Sequence, residues 1–152
     1  MFRILLASVF ALAAFPAGPA LSSEAVGHNN APLATLTVKV EKVSPLGGDV
    51  RVAIYTEKTY SDGNAKNIND AVVPAVPGET IVTLSGIKPG IYAVKLFQDF
   101  NRNGEFDMTW YGLPAEKYGF SNDAHPSLSE PSFDATKFEV RPGANTITIH
   151  LQ

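Results

Sequence analysis

The strongest constraint on this chain is a period-two alternation of apolar and polar residues, broken every few residues by Gly and Pro. Leu36, Val38 and Val40 alternate with Thr37, Lys39 and Glu41, and Val50, Val52 and Ile54 alternate with Arg51 and Ala53. A strand points successive side chains to opposite faces, so such segments are half-buried strands. Leu46-Gly47-Gly48-Asp49 reads as a hairpin-type turn between these two strands. Pro77-Gly78-Glu79 precedes a strand over Thr80–Leu84, and Lys88-Pro89-Gly90 precedes one over Ile91–Gln98. Phe138 and Val140 begin another, and Pro142-Gly143-Ala144-Asn145 leads into Ile147, Ile149 and Leu151. Ala71–Val76 is a weaker strand, placed at a sheet edge by Pro74, which cannot donate to a ladder. No segment of ten or more residues has capped helical periodicity. The pattern predicts a single antiparallel β-sandwich of about seven strands, immunoglobulin-like or transthyretin-like, over residues 34–152.

The N-terminus reads differently. Arg3 is followed by the uncharged apolar run Ile4–Phe15 and then by Pro16, Gly18, Pro19, Ala20 and Ser22. A short apolar run between a positive charge and small, helix-breaking residues is the pattern of a secretory signal peptide, here residues 1–22. The run is too short to span a bilayer, which takes about 20 residues. Residues 23–33 form a polar lead-in. Loss of Arg3 leaves 11 basic residues against 15 acidic ones, net −4, from the whole chain's −3. With no cysteine, a lipoprotein anchor, disulfides and thiolate sites are excluded. The expected product is periplasmic or secreted, with neither transmembrane nor lipid anchor, and its acidity without a basic cluster argues against a nucleic-acid partner.

Chemistry concentrates in one nine-residue stretch. Asp99-Phe100-Asn101-Arg102-Asn103-Gly104-Glu105-Phe106-Asp107 puts oxygen-bearing side chains at positions one, three, five and nine, with Gly at six. Ca²⁺ takes six to eight hard oxygen ligands, and alternate side chains of a tight loop can wrap it, with the Glu105 carbonyl at position seven. The stretch resembles the first nine positions of an EF-hand loop. It departs from that loop at position twelve, where Trp110 replaces the bidentate Glu, and in its flanks, which are not helical. A further ligand must come from elsewhere, with Glu116 and Asp123 as candidates. Two assured carboxylates imply a weak site, with a dissociation constant on the order of 10⁻⁴–10⁻³ M. The competing reading is an Asn/Gly turn whose side chains bond only their own backbone.

Two connections are long. Glu57–Asp70 is polar and reads as a surface loop. Met108–Ser132 follows the ion-type loop within a stretch that holds Phe97, Phe100, Phe106, Trp110, Tyr111, Tyr118, Phe120, Phe133 and Phe138. So many rings either cover an open end of the sandwich or form a binding surface, for which Trp110, Tyr111, Tyr118 and Phe120 are the candidates. A glycan or another envelope protein would suit such a surface. Asp107 and Glu116 could also serve as acid and base of a hydrolase or lyase, and a third reading is a purely structural envelope component. His28, His125 and His150 lack zinc-ligand spacing.

The series G-x-Y-A over Gly90–Ala93, D-x-N-x-N-G-x-x-D over Asp99–Asp107 and G-x-P-x-E-x-Y-G-F-S-N over Gly112–Asn122 continues into Pro131-Ser132-Phe133-Asp134. It resembles the uncharacterised bacterial family called domain of unknown function 2141, across roughly residues 34–151. The resemblance implies an exported bacterial protein with no established activity, and it carries over no catalytic residue. The turn and strand Lys88–Val94 is also similar, more loosely, to transthyretin-like and carboxypeptidase-regulatory-like sandwiches, which bears on fold alone. Together these readings give a non-enzymatic exported sandwich whose calcium loop orders an aromatic surface.

Overall fold

The computed structural model describes residues 32–62 and 66–152. The expected signal peptide and nearly all of the lead-in lie outside them. Among the described residues eight strands form two facing sheets: β1 Ala34–Val43, β2 Asp49–Tyr55, β3 Asn69–Pro74, β4 Gly78–Ile87, β5 Gly90–Asp99, β6 Tyr118–Phe120, β7 Phe138–Val140 and β8 Gly143–His150. The smaller sheet has the order β4-β1-β8, and the larger β3-β2-β5-β6, with β7 pairing the start of β5. The all-β sandwich is therefore as expected, and β3, which contains Pro74, lies at an edge.

Two details depart from the expectation. About seven strands were expected, running antiparallel throughout, whereas β1 and β8 pair in parallel from Ala34↔Gly143 to Glu41↔His150. The turns also differ in kind. Leu46–Asp49 does not close a hairpin, because β1 pairs with β4 and β8 while β2 pairs with β3 and β5. It carries the chain from one sheet to the other, as do the turns before β5 and β8. Gly47 and Gly48 both have φ above +80° or at it, a corner side-chain-bearing residues avoid, and a Cβ on Gly48 would overlap the Asp99 carbonyl.

The core lies between the sheets. Leu36, Val38 and Val40 of β1 meet Val50, Val52 and Ile54 of β2 and Val94 and Leu96 of β5, all buried, with Val82, Leu84 and Ile149 completing the layer. Gln98 is the polar member of this layer, fully buried where β5 ends. Its Oε1 accepts from Ser44 N at 2.8 Å, and its Nε2 donates to the Ser44 and Gly47 carbonyls at 2.9 and 2.7 Å. A buried amide left unpaired is costly, so these bonds fix the sheet-crossing turn against the strand that enters the ion-type loop. Within the long connections, Glu57–Tyr60 forms a helical turn, α1, and Phe133–Thr136 a second, α2. No helix among the described residues is long and apolar enough to cross a membrane.

Candidate functional site

The loop after β5 is built around one buried carboxylate. Asp99 has no exposed surface; its Oδ2 accepts from Gly104 N at 2.9 Å and from Arg51 Nε at 2.6 Å, and its Oδ1 accepts from Asn103 N at 3.1 Å. Burial pushes its pKa up, but the Gly104 amide, the Arg51 guanidinium and the Asn103 amide outweigh it and hold it below the usual carboxylate range. Arg102 (φ 60°) and Gly104 (φ 85°) are both left-handed and coil the loop tightly. Asn101 Oδ1 accepts from Asn103 N at 2.9 Å, and Asn103 Oδ1 from Glu105 N at 2.8 Å, as Asn side chains do in tight turns.

The structure brings Asn101, Asn103 and Asp107 together: the Asn101 amide donates to Asp107 Oδ2 at 2.6 Å, and the Asn103 amide reaches both carboxylate oxygens at 3.1 Å. Glu105 is exposed and contributes its backbone to the turn. Glu116 is buried beneath the loop; its Oε1 accepts from Phe100 N at 2.8 Å and its Oε2 from Asp107 N at 3.1 Å. Both its oxygens thus hold the two ends of the loop together. Asp123 is engaged elsewhere, bonding His150 through N at 2.8 Å and Nδ1 at 2.7 Å.

The donor set fits calcium only in part. Hard oxygens are present at the expected positions, but the described residues contain no group of three or more His, Cys, Asp or Glu that could hold a metal. The ion would lean on amide and carbonyl oxygens. Asn101 and Asn103 would have to turn oxygen rather than nitrogen toward Asp107, giving up two backbone bonds.

The expected aromatic surface divides in two. Along β2, β5 and β6 the residues that alternate with the core point away from it: Arg51, Ala53 and Tyr55, then Lys95 and Phe97, then Tyr118 and Phe120. With Val72 of β3 they floor a trough of about 860 Å³. One wall is Phe106, Met108, Leu113 and Pro114, and the other is Pro126–Glu130. The rings interlock edge to face, Phe97 with Phe106 at 5.5 Å, Phe106 with Tyr118 at 5.7 Å, and Tyr118 with Phe120 at 6.0 Å. Trp110 and Tyr111 do not line the trough; they stand at the tip of the wall, 94% and 59% exposed.

Each wall is tethered by a cation from the floor. Arg51 holds the ion-type loop through Asp99. Lys95 pairs with Glu130, donates to the Tyr60 carbonyl at 2.9 Å, and lies 4.1 Å from the Tyr60 ring centre and 4.8 Å from that of Tyr55. Tyr60 in turn donates its hydroxyl to the Pro131 carbonyl at 2.9 Å. Burial, with Glu130 nearby, raises the Tyr60 pKa to about 12, against the lowering hydrogen bond from Thr136.

Of the floor residues, Arg51, Tyr55 and Lys95 were not among the candidates drawn from the sequence, and Phe97 was named only as one of its clustered rings. Their outward positions in each strand were legible; that two loops would fold back over this face was not.

No curated protein and no solved structure matches this chain. A family model does, over residues 38–148, a span that takes in both sheets, the ion-type loop and both trough walls; the chain belongs to the family described as an uncharacterized protein conserved in bacteria, DUF2141.

Proposed function

We propose that this is an exported, non-enzymatic binding protein whose aromatic trough takes a ligand, and whose 99–107 loop binds calcium weakly and so steadies one trough wall. The observation that carries this reading is the trough itself. Its volume is within the range of about 300–1,000 Å³ common to small-molecule sites, and its lining is largely apolar with a few polar groups, as such sites are. A glycan segment or the side chains of another envelope protein would fill it. Export rests on the Ile4–Phe15 run and the small residues after it.

Calcium is supported by the oxygen set at Asp99, Asn101, Asn103 and Asp107 and by the carbonyl of Glu105. Mg²⁺ fits less well, since it demands a smaller, water-rich octahedral shell. Asp107 and Glu116 are better suited to shaping the loop than to acid–base work, because each Glu116 oxygen already accepts a backbone N–H.

Thermal melts in calcium and in chelator test the ion. At ten times the dissociation constant, binding adds roughly 1.4 kcal/mol, a rise of about 3–6 °C for a domain of this size. Asp107→Asn should remove the rise. No shift at millimolar calcium would remove the ion from the reading and leave the trough.

A further inference from the structure

The tip of the wall, whose Met108 and Leu113 also face the trough, carries Trp110 and Tyr111 beyond it. Met108-Thr109-Trp110-Tyr111-Gly112-Leu113-Pro114 contains no charged residue. Met108, Trp110, Tyr111 and Leu113 are all more than half exposed, Trp110 almost wholly so. A loop that displays four large apolar side chains in water is disfavoured unless something covers them.

The tip is also stiff. Thr109 N donates to the Leu113 carbonyl at 2.7 Å, Leu113 N donates to Thr109 Oγ1 at 3.0 Å, and Gly112 N donates to the Thr109 carbonyl at 2.9 Å. Met108 bridges Pro114, and Ala115 N donates to the Asp107 carbonyl at 2.9 Å. Gly112, at φ 83°, makes the bend. The side chains are therefore held outward by backbone bonds that need no ion. On the opposite wall Leu128 is fully exposed and lines the same trough, so both rims carry unpartnered apolar groups.

We propose that the Met108–Leu113 tip is a wedge that docks the protein on an uncharged lipid surface. Trp and Tyr, each with an apolar body and a polar edge, favour the boundary between headgroups and acyl chains, and Met and Leu favour the hydrocarbon just below it. Charge selects the kind of surface. The tip is neutral and the chain has a net charge of −3, so zwitterionic lipid suits it and anionic lipid does not. The rings argue against a sugar here: Trp110 and Tyr111 stand at 85° with centres 5.2 Å apart, so they cannot lie together along one flat saccharide face.

Trp110 is the only tryptophan, so its emission reports the tip whatever the N-terminal apolar run does. The full chain is mixed with phosphatidylcholine vesicles, with and without brominated acyl chains, in calcium and in chelator. The expected result is a blue shift of Trp110 emission and its quenching by the brominated lipid, in both buffers. Met108→Glu with Leu113→Glu keeps the reporter and alters only exposed positions; it should weaken partitioning by more than about tenfold at an unchanged melting temperature. The proposal is overturned if Trp110 emission ignores the vesicles or if the double variant is quenched like the parent. It is equally overturned if the shift is produced by an oligosaccharide, or by raising protein concentration, without lipid. The calcium melts read a different property, so either idea can fail alone.

Discussion

The two outward faces of the sandwich obey the same alternation and come out opposite in character. On the smaller sheet the outward residues are Thr35, Thr37 and Lys39 of β1, Ile81, Thr83 and Ser85 of β4, and Thr146 and Thr148 of β8, a mostly polar surface open to water. On the larger sheet the equivalent positions are Arg51, Tyr55, Lys95, Phe97, Tyr118 and Phe120, and two loops stand over them. A half-buried strand needs only one apolar face for its core. Rings on the second face therefore lie outside the core, and Arg51 and Lys95 of that face hold the walls above them.

The sharpest break in this comparison is expected at the root of the ion-type wall. Asp99→Ala removes the acceptor of two backbone N–H groups and leaves Arg51 without its partner. Breaking a buried pair from one side costs about 3–5 kcal/mol, and because the Arg51 side chain is 28% exposed the expected loss is near 3 kcal/mol. Thr148→Ala, on the polar face, should change stability by less than about 0.5 kcal/mol. Chemical denaturation of both variants measures the contrast. Acid reads the same group. The folded pKa of Asp99 is below its unfolded value of about 3.9, so its contribution is complete above that pH and is lost as pH falls through the lower folded value. Asp99→Asn should flatten that part of the acid limb; equal losses for Asp99→Ala and Thr148→Ala would erase the distinction between the faces.

The strands were legible because alternation is a local property: β1, β2 and β5 can be read from Leu36, Val50 and Val94 and their neighbours. The turns were not legible in kind. Gly47-Gly48 signals a tight bend, but whether it closes a hairpin or crosses between sheets depends on which strands pair, and that is decided by the long-range ladders of β1 with β4 and β8. Strand β6 was missed because Tyr118-Gly119-Phe120 has a glycine where an alternating residue would stand, so nothing marks it out, whereas the equally short β7, Phe138-Glu139-Val140, does alternate. The spacing of the ion-type loop is met only in part: Asn101, Asn103 and Asp107 come together, while the Asp99 carboxylate is turned to two backbone N–H groups and to Arg51, which lies 48 residues earlier and carries no local sign of that bond. Glu116 was singled out for its charge, and its role as a clamp on Phe100 and Asp107 follows only from the fold.

A smaller effect is expected where the two faces share a strand. Gly119 points inward between Tyr118 and Phe120, and a Cβ there would come within 2.8 Å of Ile149 Cγ2 on β8. Gly119→Val overpacks this contact, which should cost about 2 kcal/mol. It should also lift both rings out of register, lowering the near-ultraviolet circular dichroism of the trough while the β signal persists. If the ring signal is untouched, the trough floor does not depend on β6.

The smallest effect should come from the second wall, where the tether is a partly exposed ion pair. Glu130→Gln keeps the shape and removes the charge opposite Lys95, whose ammonium still has the Tyr60 carbonyl and two ring faces. Glu130 is 45% exposed, and exposed pairs contribute at most about 1 kcal/mol, so a loss near 0.5 kcal/mol is expected. The more telling readout is Tyr60. Burial is the main reason its pKa stands at about 12, and the Glu130 charge adds to it. Removing that charge should let Tyr60 ionise at a lower pH, seen as an earlier tyrosinate absorbance step, with burial keeping it above an ordinary tyrosine. A Tyr60 titration indifferent to Glu130 would mean that this wall is held by the Tyr60–Pro131 hydrogen bond alone, and that the symmetry of two cation tethers is one of appearance.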